Sequence, residues 1–308
     1  MNNRIMILFA ASISITSFSQ VSLGDVNPEE RLNEATGRDI SDDYRAAIER
    51  FRDKKKMKIV GGKDAPMNSH PWQVSLGVSW IESPDFAHFC GGALINEKWM
   101  VTAAHCVRGL LNEDVLVVVG ETVLKGGASR REVALIISHP EFNRDTYEND
   151  IAVVKLRSNV TFNSSIKSVR LVSTIDNERE LIKKKLRVAG WGAKEFDGNS
   201  VAVLQVIDIP YITRKRCNSI NSYENRVSGN MLCAGIKPEL TPDGRLIQDA
   251  CKGDSGGPLI GGYATATPIV VGLVSWGDGC AKPNKFGVYT RVSSYSDWVK
   301  NAINGSEE

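Results

Sequence analysis

The sequence predicts an all-β fold, a sandwich or a barrel, for most of its 308 residues. From Ile59 onward, short apolar runs of strand length alternate with Gly, Pro and Asn, which favour turns. The runs expected to be strands are Gln73–Leu76, Val115–Val119, Val133–Ile137, Ala152–Leu156, Leu204–Ile209, Ile269–Trp276 and Val288–Val292. In this part of the chain only Tyr295–Ile303 has apolar residues at helical spacing.

Residues 1–58 differ in composition from the rest of the chain and divide into two segments. Arg4 followed by the apolar Ile5–Ala11 predicts a signal peptide, residues 1–19, with cleavage near Ser19 and secretion of the protein. A membrane anchor is the alternative, but serines and a threonine interrupt the run well short of the ~20 apolar residues that span a bilayer.

Residues 20–58 are strongly charged and contain no cysteine. Within them four side chains at helical spacing predict a short amphipathic helix behind Ser41, a candidate N-cap. These side chains are Tyr44, Ala47, Ile48 and Phe51. Lysines at 54–56 and 58 then predict a soluble linker that proteases can reach.

Composition and charge limit the partners. Apolar residues make up 42% and charged residues 24%, as in ordinary soluble proteins. Residues 1–58 contain 10 Lys/Arg and 9 Asp/Glu. The remainder therefore contains 28 Lys/Arg and 27 Asp/Glu and is nearly neutral. We therefore expect no nucleic-acid or membrane partner, and we expect a monomer.

Six cysteines agree with an oxidising compartment: Cys90, Cys106, Cys217, Cys233, Cys251 and Cys280. Six cysteines allow 15 pairings, so their number alone does not give the connectivity. Zinc binding is the competing interpretation, but no CxxC pair or His/Cys cluster supports it, and we expect no metal and no cofactor.

Three segments contain residues suited to acyl transfer: 101–106 with His105, 149–152 with Asp150 and 253–258 with Ser255. Cleaving an amide needs a nucleophile, a base that takes its proton and a buried acid that orients the base. Each residue alone is typical of a structural position, a cap or a tight turn. Together, in the order His, Asp, Ser, they predict a catalytic triad.

The chain from Ile59 nearly to its end resembles the chymotrypsin-like serine proteases, in their trypsin-like branch. The matching motifs are Ile59-Val-Gly-Gly, Pro71-Trp-Gln-Val-Ser-Leu, Cys90-Gly-Gly, Gly190-Trp-Gly, Cys233-Ala-Gly and Val274-Ser-Trp-Gly. The resemblance implies that residues 59–308 form two antiparallel six-stranded Greek-key β-barrels and a C-terminal helix, with a boundary near 165–175. It also implies the disulfides Cys90–Cys106, Cys217–Cys233 and Cys251–Cys280.

The resemblance further implies an oxyanion hole and a primary pocket. The N–H groups of Gly253 and Ser255 would form the oxyanion hole, and Ser275 would hydrogen-bond the triad aspartate. Asp249 would lie at the base of the pocket and select Arg or Lys, although a surface-loop Asp is the alternative. Ala250 replaces the serine of many digestive trypsins, so Arg should be preferred to Lys.

Other substrate contacts are implied more weakly. Gly277 and Gly287 match glycines that keep the pocket walls open. Tyr147 should favour small residues in the next subsite, and Trp276 should line the site beyond it. Packing is the alternative role for both aromatic residues.

The Lys58–Ile59 bond resembles a zymogen cleavage site, which makes residues 20–58 an activation propeptide. The new α-amino group of Ile59 would pair with Asp254, because a buried carboxylate is costly until a cation satisfies it. A structural Asp254 is the alternative. The sequence thus predicts a secreted trypsin-like endopeptidase zymogen that acts on proteins and is open to proteinaceous inhibitors. A non-catalytic binding homologue is the competing class.

Overall fold

The computed structural model describes residues 38–53, 63–126, 128–173, 176, 178–183, 185–192, 202–235, 253–263, 267–278 and 284–307. The all-β prediction is confirmed, since two bodies of antiparallel strands make up most of the described chain. Its strands are β1 (Lys63–Asp64), β2 (Gln73–Val78), β3 (His88–Leu94), β4 (Trp99–Thr102), β5 (Val115–Val119), β6 (Ser129–Ser138), β7 (Ala152–Leu156), β8 (Arg170–Leu171), β9 (Leu186–Gly190), β10 (Gln205–Ile209), β11 (Tyr211–Ile212), β12 (Met231–Ala234), β13 (Pro258–Gly261), β14 (Ile269–Trp276) and β15 (Gly287–Arg291).

The first body is a closed six-stranded barrel with the strand order β2-β3-β4-β7-β6-β5. Strand β3 was not among the predicted strands, since its adjacent Gly91 and Gly92 are typical of turns. The structure gives the reason for glycine: a Cβ on Gly92 would lie 2.3 Å from Met100 Cε and 2.8 Å from the Val101 carbonyl oxygen. Close packing inside the barrel therefore requires glycine there.

The second body is a nine-stranded sheet in the part of the chain that the structure describes. Its order is β1-β10-β9-β13-β14-β15-β12-β11, and β8 pairs in parallel with β14. The resemblance implied six strands; the two-residue strands β1, β8 and β11 account for the difference.

The helices are short: α1 (Asp42–Arg52), α2 (Pro84–Ala87), α3 (Ala104–Val107), α4 (Glu178–Lys183), α5 (Arg214–Cys217) and α6 (Ser296–Asn304). Both predicted helices, α1 and α6, are confirmed, and the Ser41 side chain caps α1 by accepting from the Tyr44 N–H. Helix α1 packs into the core of the first barrel, whereas α6 packs against an apolar cluster formed by residues of both bodies and contacts β7. Across the described ranges, no helix has the length and apolar character to cross a membrane.

Candidate active site

The structure brings His105 and Asp150 together because their segments adjoin paired strands. His105 lies in α3, directly after β4, and Asp150 lies just before β7; β4 and β7 pair with Thr102 opposite Ala152. The His105 Nδ1 atom is 2.7 Å from Asp150 Oδ2, and the His105 backbone N–H donates to Oδ1 at 2.9 Å. One contact to the ring and one to the backbone N–H of the same residue therefore hold His105 against Asp150.

The Asp150 carboxylate is fully buried. Ser275 Oγ donates to Asp150 Oδ2 at 2.5 Å, which is the contact that the resemblance implied. Thr290 Oγ1 donates to the Asp150 main-chain carbonyl at 2.7 Å. These hydrogen bonds hold both the side chain and the backbone of Asp150 in place, as required of the group that orients a base.

The Ser255 turn packs against the first barrel. The Gly91 N–H of β3 donates to the Ser255 carbonyl at 2.7 Å. Cys90, the residue before Gly91, forms a disulfide with Cys106, the residue after His105. Gly256 has a φ of +74°, and a Cβ there would lie 2.2 Å from Thr102 Oγ1. Glycine is therefore required at 256 for the turn to approach the barrel.

The His105 ring has a second acidic neighbour. Its Nε2 atom lies 3.4 Å from Oδ2 of Asp43, a residue in the first turn of α1. Among the described residues, the polar contacts of the ring are Asp150, Asp43 and the Cys106 sulfur, and the Ser255 hydroxyl is not one of them. Burial lowers the pKa of His105, but Asp150 and then Asp43 outweigh it and raise that pKa to about 10.

Gly253 has a φ of +95°, which favours glycine. Its carbonyl lies 2.8 Å from His88 Nε2, while His88 Nδ1 lies 2.7 Å from Ser75 Oγ. Burial lowers the pKa of His88 to about 4, so the ring is neutral at pH 7. Because a carbonyl only accepts, Nε2 carries the proton and Nδ1 accepts from the Ser75 hydroxyl.

Asp254 is buried and accepts a hydrogen bond from the Gly192 N–H at 3.0 Å. A Cβ on Gly190 would lie 2.0 Å from Asp254 Oδ1. The Gly190-Trp-Gly192 segment therefore forms part of the wall around this carboxylate.

Two of the described substrate-contact candidates, Tyr147 and Trp276, are aromatic residues whose rings lie near each other. The Tyr147 ring centroid is 5.7 Å from that of His105 and 6.5 Å from that of Trp276. Gly277 is exposed directly after β14, and Gly287 is buried at the start of β15. Several predicted residues lie outside the described residues: Lys58, Ile59, Asp249, Ala250, Cys251 and Cys280.

Disulfides Cys90–Cys106 and Cys217–Cys233 are present in the structure. The predicted Cys251–Cys280 pair lies outside the described residues. Cys90 and Cys106 also lie within 4.8 Å of the side chains of Asp43 and His105. Both sulfurs are in a disulfide, so they offer no thiolate to a metal.

Comparison with known proteins agrees with this geometry. The family model described as Trypsin matches residues 59–299. The chain belongs to the trypsin family. This family of serine endopeptidases has the two-body β fold that the structure shows.

The trypsin-family relatives include both small and larger proteins. Transmembrane protease serine 11G of Rattus norvegicus is 40% identical over 247 residues, 80% of this chain and 56% of that protein. The chain thus spans about half the length of this and similar relatives. Cationic trypsin-3 of the same organism is 38% identical over 250 residues, which cover 80% of this chain and 90% of that protein. Trypsin of Sus scrofa is 38% identical over the same number of residues, 80% of this chain and 96% of its own.

Sequence reasoning missed two residues of this trypsin-family site. Thr290 supports Asp150 from β15, and Asp43 reaches His105 from α1. The periodicity that predicted α1 contained Asp43 as a first-turn residue. It gave no signal of which surface the helix would contact.

Proposed function

We propose that this chain is the secreted precursor of a trypsin-like serine endopeptidase that hydrolyses peptide bonds after Arg and, less readily, after Lys. The observation that carries the proposal is the buried Asp150 carboxylate, which accepts from Ser275 and contacts Nδ1 of His105. A carboxylate at Nδ1 favours the tautomer whose Nε2 can take a proton. Proteins and peptides are the proposed substrates of this monomeric enzyme, and proteinaceous inhibitors its other partners.

Acyl transfer would proceed in two halves. Ser255 Oγ attacks the scissile carbonyl carbon while His105 Nε2 takes the hydroxyl proton. That proton then passes to the leaving amine as the C–N bond breaks, which leaves an acyl ester on Ser255. Water gives a proton to His105 and attacks the ester, and the proton returns to Ser255 as the acid leaves.

The N–H groups of Gly253 and Ser255 would stabilise the oxyanion of the tetrahedral intermediate. The positive φ of Gly253 and the bond from His88 to its carbonyl support a fixed orientation of this turn. Removal of one oxyanion-hole donor typically lowers turnover by ~10²–10³.

Substrate choice would rest on Asp249 at the base of the primary pocket. A guanidinium can bind a carboxylate with two hydrogen bonds, whereas an ammonium relies more on extra acceptors. Ala250 supplies no hydroxyl, so Arg should be the better substrate residue. Gly277 and Gly287 would leave the pocket open, and Tyr147 and Trp276 would line the neighbouring subsites.

Activation would follow removal of the signal peptide and a cut after Lys58. The α-amino group of Ile59 would then pair with Asp254 and order the oxyanion hole. Supporting this role, Asp254 is almost completely buried beside Gly190 and Gly192. A buried carboxylate of this kind gains most from a cationic partner.

Organophosphate labelling after cleavage at Lys58 tests the proposal. Wild-type protein should be labelled on Ser255, and Ser255→Ala should abolish labelling. Ser69→Ala, which removes an exposed hydroxyl in the turn before β2, is the matched control and should be labelled fully. Absence of label in the cut wild-type protein would favour the non-catalytic class.

A peptide library cleaved by the same preparation tests specificity. Cleavage should occur after Arg and Lys, with the Arg peptides turned over faster. Equal turnover of matched Arg and Lys peptides would contradict the role given to Ala250.

A further inference from the structure

Helix α1 lies on the first barrel through an apolar face that is as buried as the barrel core. Tyr44, Ala47 and Ile48 are 0–2% exposed, and so is Ile40 just before the helix. The Tyr44 ring packs edge-on against Phe89 of β3, with ring centroids 5.3 Å apart. Burial of this kind is typical of apolar side chains in a protein core.

The aromatic contact continues at the other end of the helix. Phe51 packs edge-on against Trp80 at 5.7 Å and against Phe86 at 6.2 Å. Arg50 Nη2 donates to the His88 carbonyl of β3 at 2.7 Å. The helix is thus attached to the barrel along its whole length.

Polar contacts fix the register of the segment. Arg108 Nη2 donates to the Ile40 carbonyl, and the Ser41 N–H donates to the Arg108 carbonyl, each at 2.9 Å. The barrel surface also has a gap for this backbone: a Cβ on Gly109 would lie 2.4 Å from the Asp39 carbonyl oxygen. The shape of the barrel therefore matches this segment.

Charge complementarity points the same way. Arg38 pairs with Asp114 at 2.9 Å, and Arg144 pairs with Asp39 at 3.1 Å. Arg108 lies 3.3 Å from the same Asp39 carboxylate. The barrel therefore presents partners for both signs of charge on the segment.

The register places Asp43 against the catalytic atom of His105. Nε2 is the atom that must be unprotonated to take the Ser255 proton. With Asp150 Oδ2 2.7 Å from Nδ1 and Asp43 Oδ2 3.4 Å from Nε2, a carboxylate lies beside each ring nitrogen, an arrangement that favours the imidazolium, in which both nitrogens carry a proton. In this state it has no lone pair to accept a proton.

We infer that residues 38–53 are an acidic helical inhibitor of the active site, which the first barrel retains by non-covalent contacts after the chain is cut at Lys58. This inference rests on the proposed function. It adds an inhibitory contact at His105. This contact differs from the proposed activation by the Ile59–Asp254 pair, because Asp43 acts on the base and not on the oxyanion hole. The surface of the first barrel beside His105 would bind an amphipathic helix with a carboxylate in its first turn.

Inhibition by a synthetic peptide of residues 38–53 tests the inference. The full chain is cut by an immobilised basic-specific protease, the protease is removed, and the fragment is separated by gel filtration in dilute urea. After the urea is removed, the peptide should inhibit hydrolysis of a small Arg ester competitively. Asp43→Asn in the peptide should raise the inhibition constant about tenfold or more, and Glu49→Gln, at an exposed position, should leave it unchanged.

Retention is tested on the cut protein before separation. Its activity per molecule should rise on dilution as the fragment dissociates, and added peptide should reverse the rise. Lack of inhibition by the peptide up to ~1 mM, where binding is worth only about 4 kcal/mol, would overturn the inference, as would equal inhibition by the peptide that carries Asp43→Asn.

Calorimetry on cut and separated Ser255→Ala protein distinguishes the two proposals, because peptide binding does not depend on turnover. If the endopeptidase assignment fails, the peptide still binds but the wild-type protein is inactive at every dilution. If the inference fails, the wild-type protein is active and the peptide does not bind.

Discussion

Helices α1 and α6 are both amphipathic and both pack on a β body, yet the helix that precedes the proposed cleavage site has the more favourable cap, end charges and burial. Helix α1 has a serine cap, two acidic residues in its first turn and two basic residues in its last turn. Helix α6 has no side-chain cap, one acidic residue in its first turn and no basic residue in its last. Charges placed as in α1 interact favourably with the helix dipole and stabilise the helix.

The apolar side chains of α1 are also more deeply buried than those of α6. Helix α1 buries a tyrosine, an alanine and an isoleucine almost completely, whereas Trp298 of α6 is only half-buried and Val299 is its one buried apolar residue. If residues 20–58 served only as a spacer, they would not need this packing. A segment that we propose is cut from the protease can thus still be part of a hydrophobic core.

The largest expected effect is that of Tyr44→Ala. Truncating a buried aromatic residue costs about 3–5 kcal/mol, so a 38–53 peptide with this change should bind at least ~100-fold more weakly. Fluorescence or calorimetric titration of the cut and separated protein measures the change. A loss below about threefold would mean that the face of α1 contributes little.

Trp298→Ala is the corresponding change in α6. It should lower the thermal unfolding midpoint, by about 2–4 °C for each kcal/mol lost, while the affinity for the peptide stays the same. Weaker peptide binding in this variant would show that the two helices are not independent.

The second effect is on pH dependence. In the docked state the pKa of His105 is raised to about 10, burial being outweighed by Asp150 and Asp43. A raised pKa means that docking favours the protonated ring. The gain in affinity is fully present below the free-state pKa and is lost as the pH rises through about 10.

Peptide inhibition should therefore weaken by up to about tenfold per pH unit between the free-state pKa and pH 10. The other charged groups that face the ring are Asp42, Arg108, Arg144 and Tyr147. Burial, and then Asp150, raise the pKa of the Tyr147 hydroxyl above its ordinary value, which moves its titration further from neutral pH. The peptide with Asp43→Asn should show a smaller slope; inhibition independent of pH from 7 to 10 would contradict the imidazolium contact.

The smallest expected effect is that of Ser41→Ala in the peptide. Loss of an N-cap typically costs about 1 kcal/mol, or roughly fivefold in affinity. Circular dichroism of the free peptide and the inhibition constant should change together. Inhibition unchanged despite lost helicity would mean that the helix forms only after docking.

The sequence predicted both helices and several strands well, because each has a clear period. Helix α1 was predicted from four apolar positions and Ser41, and its bounds agree with that pattern. The strands 115–119, 152–156 and 269–276 agree to the residue. Strand β3 was missed since Gly91 and Gly92, which allow close contacts in the barrel, are locally indistinguishable from a turn.

Side-chain partners across the chain were harder to predict. The Ser275–Asp150 contact came from the family resemblance, but the partners of His88 did not. The structure shows the His88 ring between Ser75 Oγ and the Gly253 carbonyl. Asp43 was missed for the same physical reason: periodicity gives the buried face of a helix, and only tertiary packing gives the surface that receives it.

His88 lies between helix α1 and the turn proposed for the oxyanion hole. Its carbonyl accepts from Arg50, while its imidazole holds the Gly253 carbonyl. If helix α1 leaves, we expect the His88 carbonyl to become exposed to solvent and strand β3 to become less rigid. Amide hydrogen–deuterium exchange around Gly253 should then become faster, so that loss of the helix can be detected at the turn that carries Ser255.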